Sequence, residues 1–493
     1  MTRRTLALAL YTTALCALPL SADSLGPEID RLIDTTPSVT RAFWGVQIVE
    51  MGSGTVLYSR NADHLFVPAS NAKLFTLALA LSRLGPAFRF QTRVVADAEP
   101  DANGTVQGPL RLVGGGDPNL SARAIPYRPG PVAGNPLAAI DDLADQLVKR
   151  GIRRVEGGIV GDDTRYLWEP YPEGWAADDT QFEYGAPVSA LSINDNAFTL
   201  RARPGPRAGD LAELTLNPPL EYYEIDNRVR TVAAGGVRKI EVERTPGGRQ
   251  LRLWGTIPLR DPGEENLLAV DDPAQYAAWA LARALEDRGI TVRGEIGSRH
   301  RYPSEDPADE TAGAELAVRE SAPLLEDLKI TAKVSQNLHA ELALRAVARA
   351  RRTQGSREEG LEEMKAFLTE SGIEPEAYSF HDGSGLSRLD LLSPAAVVRL
   401  LEAMYDSPQQ QDWISLLPIG GQDGTLNARF SGNPSAARIH AKTGTLTHVN
   451  ALSGYIQRRD GVSVAFSILV NNDNGPAGDV RSIIDRICTL IVE

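Results

Sequence analysis

The chain has 493 residues, 42% of them apolar and 23% charged, and carries a net charge of −13 at neutral pH. These are the proportions of a soluble globular protein too long for one ordinary core, so two or three domains are expected. The acidic balance argues against nucleic-acid binding and against adhesion to anionic lipid, and the six histidines show neither an HExxH motif nor close pairing, so no metal and no zinc chemistry are expected.

The chain opens with Arg3-Arg4, an apolar run from Leu6 to Leu20 and the small residues Ser21-Ala22. That is the build of a signal peptide over 1–22, cleaved near Ala22, and the run is too short for a comfortable membrane span. An uncleaved anchor is the other reading. Leu15 is large where a lipoprotein signal needs a small residue before Cys16. Export with cleavage implies a periplasmic or otherwise exported protein without a membrane span, soluble or weakly held at the wall or membrane. Only Cys488 would then remain, without a disulfide partner, in the helical apolar pattern Ile483-Ile484-Cys488-Ile491, where it reads as a small core residue.

Trp44 to Val49 and Thr55 to Tyr58 flank a glycine turn and predict a β-hairpin. Pro68-Ala69-Ser70-Asn71-Ala72-Lys73 follows, and the uninterrupted apolar stretch Leu74 to Leu81 predicts a buried helix starting near Ser70. Strand-like runs (Gln91 to Ala96, Arg111 to Gly114, Gly157 to Gly161) then alternate with the helix-like Leu137 to Arg150. Residues 197–267 are β-rich and full of turns, Pro273 to Gly289 is helix-like, and the acidic stretch Pro303 to Glu315 reads as a linker. Near the end, Ala451 to Ile456 and Val462 to Val470 flank Arg459-Asp460-Gly461 as a second hairpin, and Val480 to Val492 has helical spacing. The expected organisation is one domain from both chain ends (23–91 and 318–493), an insertion (92–196 and 268–317) and a nested β-rich domain (197–267). An antiparallel sheet shared by the two ends, with helices packed on it, is the economical arrangement.

Lysine is scarce, seven in the chain, yet Ser70-Asn-Ala-Lys73 and Lys442-Thr443-Gly444 each occur once. On a helix, positions i and i+3 share a face, so the Lys73 amine can reach the Ser70 hydroxyl. A lysine serves as base if its pKa falls from about 10.4, and burial or a second cation lowers it. Lys442, if it lies across a cleft, is that second cation. Taken alone, Ser70 as a helix cap beside a solvated Lys73 explains the motif equally well. Ser-x-Asn occurs at Ser192, Ser335 and Ser431. Ser335-Gln336-Asn337 lies between two helix-like runs that would hold it rigidly, whereas the other two read as turn chemistry.

These three motifs in this order resemble the penicilloyl serine transferases. Ser335 to Arg345, Asp382-Gly-Ser-Gly-Leu-Ser-Arg388, Asp423-Gly-Thr-Leu426, Gly114-Gly-Gly-Asp-Pro118, Gly161-Asp-Asp163 and Tyr184 to Leu191 are similar to the class C low-molecular-mass penicillin-binding proteins. Those are D-alanyl-D-alanine carboxypeptidases and endopeptidases of the S13 type. The resemblance implies an α+β fold: a penicillin-binding-protein or serine β-lactamase-like transpeptidase domain, an antiparallel sheet with helices on both faces, plus two inserted smaller domains. It also implies a nucleophile at Ser70, a base at Lys73, and Ser335 and Asn337 bordering the site, Ser335 relaying a proton and Asn337 orienting the peptide. Lys442, Thr443 and Gly444 would hold the substrate carboxylate end, and the N–H groups of Ser70 and Thr445 the oxyanion. Asp178 or Asp179, Tyr184 and Arg388 would read the side chain of the stem peptide, although a solvated loop is the alternative for that stretch. The implied partners are peptidoglycan stem peptides, with β-lactams as covalent inhibitors and no cofactor.

A serine β-lactamase shares that fold, but no short Glu-bearing loop between the first two motifs is recognisable, and the inserts are long. A non-hydrolytic binding protein would not need both Ser70 and Lys73. No G-x-S-x-G motif occurs and no lysine follows a glycine, which sets aside Ser-His-Asp and P-loop chemistry.

Overall fold

A computed structural model of the chain describes residues 22–245, 247–307, 313–430 and 432–493. The expected leader therefore lies, as far as Ser21, outside the described residues. The two chain ends do build one sheet. Its five antiparallel strands run in the order Ile439–Leu446, Val449–Gln457, Ser463–Asn471, Phe43–Glu50, Val56–Arg60.

Apolar residues dominate these central strands because both faces are covered. In Ser463–Asn471, Val464, Phe466, Ile468 and Val470 face the terminal helices Ala22–Asp34 and Ala477–Val492, in a cluster that includes Ile29, Ile484 and the free Cys488. Ala465 faces the opposite way, into a second cluster centred on the Ala72–Leu84 helix. That helix buries ten consecutive residues, Ala72 to Leu81. A helix apolar on every face is stable only when surrounded, here by Leu324–Val334, Asn337–Arg351, Arg357–Glu370 and Pro394–Tyr405.

The inserted part forms a second five-stranded sheet, in the order Ile296–Arg301, Ile159–Leu167, Leu110–Val113, Gln91–Ala96, Ala314–Glu320. The Pro273–Glu286 helix starts with an Asp272 cap, whose carboxylate accepts the Gln275 N–H at 2.9 Å, and with Pro273 in its first turn. It presses so closely on the sheet that a Cβ at Gly161 would stand 1.9 Å from the Ala274 carbonyl oxygen. Two three-stranded sheets occupy the nested stretch, and their Phe198, Leu200, Leu251 and Leu253 share one buried cluster with Leu143, Ile159 and Leu281 of the insertion.

Three expected boundaries fall inside strands rather than between elements. Gln91–Ala96, Glu264–Ala269 and Ala314–Glu320 straddle 91/92, 267/268 and 317/318. The acidic stretch read as a linker ends in a strand at Ala314, because pairing with Gln91–Ala96 captures it at the sheet edge. Composition marks turns, but edge pairing is decided by a partner distant in sequence. Among the described residues no helix is long and apolar enough to cross a membrane. Gly161→Ala should lower the thermal midpoint, at a cost of about 1–3 kcal/mol, because backbone opposes the added methyl; an unchanged melting curve would contradict this packing.

Candidate active site

The Ala72–Leu84 helix is entered through a 3-10 turn, Ala69–Asn71, so Ser70 stands one turn ahead of the α-helix rather than as its cap. Ala69 adopts a left-handed φ of 48°, an uncommon conformation for a residue with a side chain. Ser70 is left only partly buried. Lys73 is fully buried, and its Nζ donates to Ser70 Oγ at 2.9 Å, to Asn337 Oδ1 at 2.6 Å and to the Ser384 carbonyl at 2.6 Å.

Ser335 terminates the Leu324–Val334 helix in a left-handed conformation, φ 63°, and Gln336 caps the Asn337–Arg351 helix by accepting the Leu338 N–H at 2.9 Å. Two rigid helices thus aim Ser335 and Asn337 from one sharp corner. The Asn337 amide is oriented without ambiguity: its oxygen accepts from Lys73, and its nitrogen donates to the Tyr184 carbonyl at 2.7 Å. Of the other two Ser-x-Asn runs, Ser431 lies outside the described residues, while Ser192 and Asn433 make turn-type hydrogen bonds. Ser192 Oγ donates to the Ser189 carbonyl at 2.7 Å, and Asn433 Oδ1 accepts the Ser435 N–H at 2.8 Å.

The Ile439–Leu446 strand is an edge of the sheet and brings Lys442, Thr443, Gly444 and Thr445 to the cleft. Lys442 Nζ donates to Ser335 Oγ at 2.8 Å and to the Thr443 carbonyl at 2.8 Å, and Thr443 Oγ1 donates to Thr425 Oγ1 at 2.8 Å. Asn71 holds the strand to the serine turn through the Lys442 carbonyl at 3.1 Å. Gly444 allows this approach, since a Cβ there would stand 2.7 Å from the Pro68 carbonyl oxygen.

Burial lowers the pKa of both lysines. Lys73 falls to about 7: desolvation dominates, and the negative charge of the acidic cluster of Asp382, Glu341 and Asp390 opposes it. Lys442 falls well below its ordinary value through burial and then through repulsion by Lys73. Of the two expected causes, burial and a second cation, desolvation is the larger; the repulsion between Lys73 and Lys442 acts on the pair.

The residues expected to read the substrate side chain are only partly assembled. Tyr184 is 40% exposed at the cleft mouth, with its hydroxyl pushed up to about 12 by desolvation and by the charge and hydrogen bond of Asp179. Asp179, not the exposed Asp178, is thus the aspartate that meets Tyr184. Arg388 lies exposed on the rim, donating to the Thr447 carbonyl at 3.2 Å. Asn71, Thr425 and Ser384 were missed as site residues. Asn71 lies inside the first motif, and the other two stand in the Asp423-Gly-Thr and Asp382-Gly-Ser runs, where an aspartate followed by glycine marks a tight turn.

Below its midpoint Lys73 is an ammonium and above it a free amine. With carbon-13 at the lysine Cε positions, one resonance among the seven lysines should titrate near pH 7 and be absent in Lys73→Arg. A set titrating only near the ordinary lysine value would contradict the buried pair.

The D-Ala-D-Ala carboxypeptidase 3 (S13) family model matches residues 25–490. The chain is 34% identical over 482 residues to a D-alanyl-D-alanine carboxypeptidase of Actinomadura sp. (strain R39), covering 94% of this chain and 85% of that one. Its fold is similar to the crystal structure of penicillin binding protein 4 from Haemophilus influenzae, with a TM-score of 0.79, 23% identity, and 95% and 99% of the two chains covered. The same H. influenzae protein complexed with a β-lactam matches at a TM-score of 0.75 and 23% identity, over 94% of this chain and 99% of that one. A family match across nearly the whole described chain, joined to this arrangement of Ser70, Lys73, Ser335, Asn337 and Lys442, means that the chain belongs to the D-Ala-D-Ala carboxypeptidase 3 (S13) family.

Proposed function

We propose that the protein is an exported DD-peptidase that works through an acyl-enzyme on Ser70. It removes the terminal D-alanine of peptidoglycan stem peptides, cleaves D-alanyl cross-links between them, and is acylated by β-lactams. The observation that carries this reading is a buried amine, titrating near neutrality, 2.9 Å from a serine hydroxyl open to the cleft.

The substrate strand lies along the outer edge of Ile439–Leu446 beyond Ala441, whose N–H already donates to the Pro418 carbonyl; past that point the edge can pair with an extended peptide. Its terminal carboxylate settles at Thr443 and Lys442; arrival of that negative charge restores the proton affinity that Lys442 lacks in the empty cleft. Neutral Lys73 takes the Ser70 proton as Oγ bonds to the carbonyl carbon of the penultimate D-alanine. The N–H groups of Ser70 and Thr445 stabilise the oxyanion. The C–N bond then breaks, and the departing amine receives a proton through Ser335 from Lys442. Water then adds to the acyl carbon, and one of its protons goes to Ser70 Oγ as the ester C–O bond breaks. The other leaves to solvent from the carboxylic acid product. The proton held on Lys73 passes back to Lys442, so that the hydroxyl and both lysines regain their starting states. In a β-lactam the broken amide belongs to a ring, so the amine stays tethered and the acyl-enzyme persists. Tyr184 with Asp179, and Arg388 at the rim, are the contacts proposed for the stem-peptide side chain. The basic, then apolar, N-terminus supports export to a periplasmic or wall-associated site.

Ser70→Ala should abolish covalent labelling by a fluorescent penicillin, whereas stoichiometric labelling of that variant would remove Ser70 from the role. With disaccharide-pentapeptide the wild-type protein should release D-alanine. Rapid turnover of penicillin without any D-alanine release would favour a β-lactamase instead. The acylation rate should rise with pH through about 7, because only the neutral amine accepts the Ser70 proton; a flat profile would exclude Lys73 as the base.

A further inference from the structure

Three carboxyl groups near Lys73, those of Glu341, Asp382 and Asp390, are each 0% exposed, and no step above uses them. Asp382 is the hub of the loop it opens. Its Oδ1 accepts the N–H groups of Ser384 at 3.0 Å and Gly385 at 2.6 Å. Its Oδ2 accepts the Ser387 N–H at 2.8 Å, the Ser384 hydroxyl at 3.0 Å and the Trp175 indole N–H at 2.8 Å. These donors curl the backbone so that the Ser384 carbonyl meets Lys73 Nζ. The loop is also fastened to the elements around it. Thr76, three residues beyond Lys73, donates to the Gly383 carbonyl at 2.6 Å, and the Gly383 N–H donates to Glu341 Oε1 at 2.7 Å. Gly385 presses on the residue before the serine, where a Cβ would stand 1.9 Å from the Ala69 carbonyl oxygen.

Asp390 completes the cluster. Its Oδ1 accepts the His381 N–H at 2.6 Å, while among the described residues no donor reaches its buried Oδ2. A bare carboxylate oxygen in that position is costly; a protonated one, donating to Asp382, is satisfied. Two touching carboxyl groups do not both ionise, and the five donors favour the charge on Asp382, so Asp390 keeps the proton. Glu341 is pushed up to about 7 by burial and by the Asp382 charge, against Arg345 at 3.2 Å.

We propose that Asp382, braced by Asp390 and accompanied by Glu341, is a positioning residue for Lys73: it fixes the Ser384 carbonyl against Nζ and supplies the counter-charge that lets the lysine carry a proton during turnover. The proposal rests on Lys73 being the base of the reaction above. The two buried lysines provide the internal comparison. Both are fully buried and both are lowered by desolvation, but the acidic cluster acts to restore the proton affinity of Lys73. The cations that oppose the cluster are Lys442, from the edge strand, and Arg345, through its pair with Glu341. At its outer end His381 faces Glu173, and Arg357 donates to the His381 carbonyl.

The test is the pH profile of penicillin acylation in the full chain. Removing negative charge near Lys73 disfavours its ammonium, so the acidic midpoint should move down. Glu341→Gln should shift it by about one pH unit with the plateau kept. Asp382→Asn should shift it further and lower the plateau about tenfold or more, because the Ser384 carbonyl is released. Asp390→Asn should leave both unchanged, since an amide N–H donates where the carboxyl proton did. If Asp382→Asn does not fold, Glu341→Gln carries the charge test and Trp175→Phe the positioning test. Trp175→Phe removes one of the five donors that hold the loop while leaving the charge of Asp382, and should lower the plateau with the midpoint kept. A wild-type midpoint in Glu341→Gln and in a folded Asp382→Asn would overturn the proposal, as would a wild-type plateau in Trp175→Phe or a shift in Asp390→Asn equal to that of Asp382→Asn. A wild-type profile without any limb would instead overturn Lys73 as base. A limb that none of the variants moves defeats this proposal alone.

Discussion

Two fully buried lysine side chains meet beneath one cleft, and everything else in the site is arranged around that fact. A fall from the ordinary 10.5 to about 7 for Lys73 corresponds to roughly 5 kcal/mol of discrimination against its ammonium form. Desolvation supplies that discrimination only because the Ala72–Leu84 helix is enclosed on all sides, so the hydrophobic core and the reactivity of the amine have one cause. Three polar partners, Ser70, Asn337 and Ser384, satisfy the amine in place of water.

Short-range strain and close packing make the convergence possible. Ala69 and Ser335 both adopt left-handed backbone immediately beside or within the site motifs, and both are held there by neighbouring helices. Gly385 and Gly444 remove side chains where backbone presses on backbone. The insertion takes part as well, through the Tyr184 carbonyl on Asn337 and the Trp175 indole on Asp382. The stretch from Trp175 to Tyr184 is therefore hydrogen-bonded both to the corner that carries Asn337 and to the loop that Asp382 opens.

Much of the fold was legible because both chain ends carry short, nearly continuous apolar runs around glycine turns, and a sheet made from them needs few alternatives. The sequence reading missed the strand at Ala314–Glu320, which is captured by a partner more than two hundred residues away along the chain. At the site, Ser70 and Lys73 were readable because local backbone geometry alone sets an i, i+3 pair. Asp179 was not separable from Asp178, since only the turn that follows decides which carboxylate meets Tyr184. Asp382 was visible as part of a motif, but its five donors come from tertiary closure.

By itself the sequence determined the chemical inventory: one serine–lysine pair, one contextual Ser335-Gln336-Asn337, one Lys442-Thr443-Gly444, and the core patterns of the helix that follows Ser70 and of the hairpins at the two chain ends. That Lys442 stands on an edge strand came from the tertiary structure. Only the tertiary structure decided the electrostatics. Whether a lysine is a solvated cation or a neutral base depends on burial and on carboxylates brought in from elsewhere in the chain, and low dielectric is a property of the folded interior rather than of any residue. That is why Lys73 and Lys442, alike as letters, differ in their surroundings: the acidic cluster of Asp382, Glu341 and Asp390 acts on Lys73.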